Sequence, residues 1–120
     1  MGMTIWILAE GEQEDDRDHS IMLMKDKSLD KLAKSIGVTK LSEFYDYSTL
    51  EGEFGGEASP KYSSADEIEK SISALIKAIK EGRSEKLEKV EGLMEELEDC
   101  VKKALNAKNN NKNVRLAILP

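Results

Sequence analysis

Twelve residues near the start of the chain, Ala9 to Ser20 (AEGEQEDDRDHS), gather six carboxylates, one arginine and the only histidine. Three chemistries could use such a stretch: oxygen ligation of a cation, hydrolysis by a His–Ser pair, or attraction of a positive partner. Cation ligation fails on spacing. An EF-hand loop needs alternate acids, a Gly at its sixth position and a Glu at its twelfth. Counted from Glu10, those positions hold Asp15 and Ile21. Zinc asks for several His or Cys ligands, and the chain offers only His19 and a distant Cys100. Hydrolysis fails on geometry, because adjacent residues such as His19 and Ser20 rarely aim at one another. No G-x-S-x-G elbow is present either. His19 therefore reads as an exposed loop histidine. The electrostatic use remains. Glu12, Glu14, Asp15, Asp16 and Asp18 are expected to face solvent and meet a positive partner. The plainer alternative is a loop kept wet by its charge.

Other reactive residue types give little. Cys100 lies beside an apolar helical seam among Glu96, Glu98 and Asp99. Negative neighbours raise a thiol pKa, so it reads as a core-edge residue. Tyr45, Tyr47 and Tyr62, with Phe44 and Phe54, surround a loop at residues 48–63. Aromatics beside an acidic loop suit protein recognition, which adds Tyr45 and Tyr47 to the candidate partner surface. The alternative is that Phe44 and one tyrosine are core. Phosphate loops, dinucleotide fingerprints, CxxC and HExxH are all lacking. No catalytic residue, metal or cofactor is expected.

Composition bounds the partner. The chain has 120 residues and a formal net charge of −6. That length predicts one domain over residues 1–120. The first twenty residues carry six acids against one arginine, while the rest carry eighteen acids against seventeen bases. The acidity is therefore local. Nucleic acid and anionic membranes both demand a basic surface, so neither is an expected partner. A single cysteine cannot form an internal disulfide and suits a reducing cytoplasm. The opening MGMTIWILAE lacks the charged n-region of a signal peptide, and Trp6 stands where a myristoylation motif wants Ser or Thr. No apolar run approaches the roughly 20 residues that span a bilayer.

The elements that must position these residues follow from periodicity. Residues 3–9 and 114–119 are apolar at nearly every position and read as strands covered on both faces. Each needs a partner for its backbone, so the two are expected in one sheet. Residues 20–25 are ambiguous, with a lean towards an extended segment. Leu29, Leu32, Ala33 and Ile36 share a helical face that ends at Gly37. Leu41 and Phe44 turn inward from a short helical piece that Ser42 could cap, and residues 48–63 read as a long loop. Ser64 and Glu67 have capping-box spacing. A helix over 64–80 is followed by one over 84–106, with Gly92 on its outer face, and the short break makes them an antiparallel αα-hairpin. The fold class is α+β: a small sheet of N- and C-terminal strands packed against that hairpin, with one or two shorter helices.

The segment LDKLAKSIGVTKLSEFYDY, the Gly/acid-rich loop after it, the hairpin carrying LEDC and the closing RLAILP together resemble a loose set of small uncharacterised bacterial proteins. No activity attaches to that set. The resemblance implies a bacterial, cytosolic source. The expectation for function is a non-enzymatic acidic module that binds a basic protein, with an immunity- or antitoxin-type inhibitor as its most concrete form. One alternative is an enzyme or small-ligand domain with a pocket beside residues 48–63. Another is a structural homo-oligomer.

Overall fold

A computed structural model describes residues 3–53 and 59–120. Strand β1 (Thr4–Ala9) and strand β3 (Val114–Leu119) pair antiparallel along their whole length, Thr4 opposite Leu119 and Ala9 opposite Val114. The expectation that the two apolar ends share a sheet holds. The third strand is β2 (Tyr45–Asp46), parallel to β3, and the order is β1-β3-β2. The central position of β3 explains why it is apolar at every position but Arg115, since Leu116, Ala117 and Ile118 are all buried and both its faces are covered.

Residues 20–25 do not supply a strand. Ser20–Met24 form a short helix, α1, with Met22 buried. The reason lies far away in the chain. Glu96 Oε1 accepts a hydrogen bond from Met22 N at 2.9 Å and so satisfies a first-turn amide that the helix itself leaves open. Helix α2 (Asp26–Ile36) buries Leu29, Leu32 and Ala33 and ends on Gly37 at φ +77°, as its pattern required. A 3₁₀ turn over Leu41–Phe44 buries both of its end residues, with Lys40 rather than Ser42 at its cap. The expected loop begins instead as a helix, α3 (Ser48–Glu53). Asp46 fixes its start by accepting from both the amide and the hydroxyl of Ser48. Phe54, counted among the loop aromatics, lies outside the described residues.

Helix α4 (Ala65–Lys80) opens on Ser64, whose hydroxyl accepts from Glu67 N at 3.3 Å. The helix expected over 84–106 is two. A single turn, α5 (Glu85–Glu88), is capped by Ser84, and α6 (Leu93–Asn109) follows. Gly92 separates them at φ +84°, a left-handed conformation that side chains resist. A Cβ there would stand 2.7 Å from Ile21 Cδ1. Gly92 is therefore a corner pressed against α1 and not a weak point on an outer face. The hairpin survives the break. Asp66 at the start of α4 pairs with Lys108 near the end of α6 at 2.6 Å, so the two helices run antiparallel. Ile68, Ile72, Leu75 and Ile79 meet Leu97, Cys100 and Ala104 in one core with Ile5, Leu116 and Ile118. Among the described residues, no helix is long and apolar enough to cross a membrane.

Candidate functional site

β1 is an edge strand, and its outward backbone groups need partners. The acidic stretch supplies them. Ile7 N donates to Asp15 Oδ2 at 2.7 Å, and Ala9 N donates to Glu12 Oε1 at 2.8 Å. Ala9 O accepts from Glu12 N at 3.0 Å, and Ile5 O accepts from His19 N at 3.2 Å. Thr4 Oγ1 also accepts from His19 N, at 2.9 Å. Glu10 Oε1 accepts from Asn113 N at the end of the strand pair. The loop thus occupies the place that a fourth strand would take.

Behind this edge lies a charge cluster. The Asp15 side chain is wholly buried and forms an ion pair with Lys103 from α6. Lys103 Nζ also meets Asp16 Oδ1 at 2.7 Å and Asp99 Oδ2 at 2.9 Å. His19 is 0 % exposed. Its Nδ1 lies 3.0 Å from Ile5 O, an oxygen that only accepts, and its Nε2 lies 2.6 Å from Asp99 Oδ2. Nδ1 also stands 3.6 Å from Asp15 Oδ2. The reading of His19 as an exposed loop residue is therefore corrected: it is a buried tie between β1 and α6.

Burial alone would push the Lys103 ammonium down, but hydrogen bonds to Asp15, Asp16 and Asp99 hold it well above the ordinary lysine value. Burial pushes the Asp99 carboxyl up, yet Lys103 and then His19 outweigh it and hold the group low. Asp16 is held low chiefly by its bond to Lys103. These shifts define what the cluster can do. An ammonium held this firmly is a poor nucleophile and a poor Schiff-base donor. Burial, with Asp99 beside it, pushes the Cys100 thiol up to about 12, so thiolate is scarce at neutral pH. The carboxylates converge on an ammonium, and among the described residues no group of three or more His, Cys, Asp or Glu is arranged to hold a metal ion.

A second buried carboxylate ties the other edge of the sheet. Asp46 is 1 % exposed. It accepts from Ser48 N, Ser48 Oγ, Lys61 N and Arg115 Nη1, at 3.0–3.1 Å. Burial pushes its carboxyl up, but the bonds from Lys61, Arg115 and Ser48 win and hold it low.

The candidate residues divide between these edges. Glu12, Glu14, Asp16 and Asp18 are exposed, but Glu12 is engaged with Ala9 N, Asp16 with Lys103, and Asp18 with Trp6 Nε1 at 2.7 Å, which leaves Glu14 as the one that ties neither β1 nor Lys103. Asp15 contradicts the expectation, because its carboxylate is buried against a lysine of the same chain. Tyr45 is also buried, at 4 % exposure. Its hydroxyl donates to Asp26 Oδ2 at 3.0 Å, and burial, with Asp26 beside it, pushes the phenol up. It is core, while Tyr47 remains 48 % exposed and meets Tyr45 edge to face at 6.0 Å. With β3 between β1 and β2, the tyrosines and the acids lie at opposite edges and form no single surface.

A cleft of about 840 Å³ opens between the acidic stretch and α6. Ile7, Ala9, Ile76, Val101, Leu105 and Val114 form its apolar lining. Six carboxylates and two lysines, Lys102 and Lys103, provide its charge. Among the described residues, none of 48–53 or 59–63 lines this cleft, which runs along the acidic stretch and α6 and not along the segment where a pocket was expected.

Lys103, Asp99, Asp46 and Arg115 were not singled out from sequence as a site. Two signals were there to read. Asp99 and Lys103 have helical ion-pair spacing, and Arg115 is the one charge in an otherwise apolar strand, which demands a buried acid. Comparison with known protein families, characterised proteins and solved structures finds no match to this chain.

Proposed function

We propose that this chain is a non-enzymatic acidic module of a bacterial cytoplasm that binds a basic protein, with an immunity- or antitoxin-type inhibitor as its most concrete form. One observation carries the reading. After the inner carboxylates have tied down β1 and Lys103, Glu14 and Glu98 still stand exposed in the lining of a cleft that is part apolar and part charged. Neither is among the carboxylates that tie β1 or hold Lys103. Exposed like charges repel one another, and a patch of one sign speeds encounter with the opposite sign.

The test is capture from the source cell by the immobilised chain and by its Glu14→Gln/Glu98→Gln variant. The expected result is a basic protein held by the unaltered chain and held much less by the variant. The difference should shrink as salt rises from about 0.1 M to 1 M and the screening length falls from about 10 Å to 3 Å. Equal capture by both, or capture of acidic proteins only, contradicts the reading. A second reading, small-ligand binding, is supported by the volume of the cleft, which falls in the roughly 300–1,000 Å³ range of ligand pockets.

A further inference from the structure

The charge of the cleft says that its occupant is basic, and its floor adds a second requirement. Leu105 is 39 % exposed although it sits in a helix with a complete apolar seam elsewhere. Val101 and Ile76, both partly buried, lie in the same lining. On α6, Glu98, Val101, Leu105 and Asn109 follow in steps of three and four, so one helical face carries an acid and then apolar side chains into the cleft. Glu14 belongs to the facing wall.

We infer that this groove docks a basic amphipathic segment of a protein partner, with an apolar side chain against Val101 and Leu105 and flanking Lys or Arg side chains against Glu14 and Glu98. The inference rests on the reading of the chain as a binder of a basic protein and specifies where and what it binds. Charge complementarity selects this occupant. A second copy of the chain would bring another net charge of −6. A polyanion would meet six carboxylates against two lysines, one of which, Lys103, is already paired with Asp15, Asp16 and Asp99. A bare cation would leave the apolar floor in water. Apolar contact supplies affinity and the charged rim supplies orientation and rate.

The experiment is a titration of the full chain with three synthetic peptides of equal length, followed by amide NMR shifts. One peptide combines lysine and leucine at helical spacing, one is lysine only, and one combines glutamate and leucine. The lysine–leucine peptide should bind saturably, with its largest shifts at Val101, Leu105 and Glu14, and about tenfold more tightly than the lysine-only peptide. Leu105→Ser should weaken it several-fold, and the spectrum of that variant reports that the fold is kept. Glu14→Gln/Glu98→Gln should weaken it at low salt and have little effect near 1 M salt. Equal binding of the lysine-only peptide overturns the proposal, as does equal binding of the glutamate–leucine peptide. Shifts centred on Met3 and Met24, two exposed apolar residues outside this cleft, overturn it too, as does self-association in place of peptide binding. The broader reading fails separately, when capture of the natural partner is indifferent to Glu14 and Glu98. If capture depends on those acids and Leu105→Ser leaves it untouched, the groove alone is wrong.

Discussion

The two edges of the sheet are held by charge clusters built in opposite senses. At the β2 edge a single carboxylate, Asp46, sits inside a shell of donors from Ser48, Lys61 and Arg115. At the β1 edge a single ammonium, Lys103, sits inside a shell of carboxylates from Asp15, Asp16 and Asp99. The Asp46 cluster is nearly dry, with 2 % of the Asp46 side chain and 13 % of the Arg115 side chain exposed. The Lys103 cluster spills over, and Asp16 keeps 87 % of its side chain in solvent while it touches the lysine. A dry cluster is explained by the fold it holds together. A cluster with surplus charge on its outer side is explained only in part, and that remainder is what the proposed partner accounts for.

The comparison predicts a ranking of damage. Asp46→Ala should be the most severe change. It strands the partly buried Arg115 and frees the starts of α3 and of the segment at Lys61, and breaking such a pair costs about 3–5 kcal/mol. Urea unfolding measures it, with Leu97→Ala, a fully buried core truncation expected to cost about 2–5 kcal/mol, as the scale. Asp15→Ala should follow at about 2–3 kcal/mol. It leaves the Ile7 amide without its acceptor, while Lys103 keeps Asp16 and Asp99. A larger loss for Asp15→Ala than for Asp46→Ala would reverse the contrast between the clusters.

Acid should act on both edges. The Asp46 and Asp99 carboxyls titrate lower in the folded chain than in the unfolded one. Their contribution is therefore complete above the ordinary aspartate value of about 3.9 and is lost as pH falls through the folded values. Lys103 has the opposite sign. Its raised value contributes below the ordinary lysine pKa of about 10.4, and that contribution is lost only as pH rises above it. Stability measured against pH should fall on the acid side first, with a shallower acid limb in Asp46→Ala. Gly92→Ala should cost about 1–2 kcal/mol through its left-handed backbone, since the nearby Ile21 methyl can turn aside. The smallest effect belongs to Glu14→Gln, within about 0.5 kcal/mol in either direction.

Sequence reading was strongest where local pattern decides structure. The termini were too apolar to stand apart, Gly37 marked the end of α2, and Ser64 capped α4. It was weakest where a distant side chain decides. α1 is helical because Glu96 reaches Met22, and β2 exists as a strand because β3 lies beside it. Gly92 carries no local mark that separates a corner from a tolerated mid-helix glycine; its left-handed backbone makes the difference. The acidic stretch was legible as charge and illegible as structure. Counting carboxylates finds the excess, but it does not say that Glu12 and Asp15 turn inward to a strand edge while Glu14 does not.

That division within one loop is the central claim, and amide hydrogen exchange at Ile7 tests it most directly. The account predicts a protected Ile7 amide in the unaltered chain, although β1 is an edge strand. Protection should fall sharply in Asp15→Ala and stay the same in Glu14→Gln. Fast exchange at Ile7 in the unaltered chain would contradict the account, and so would protection that survives the loss of Asp15.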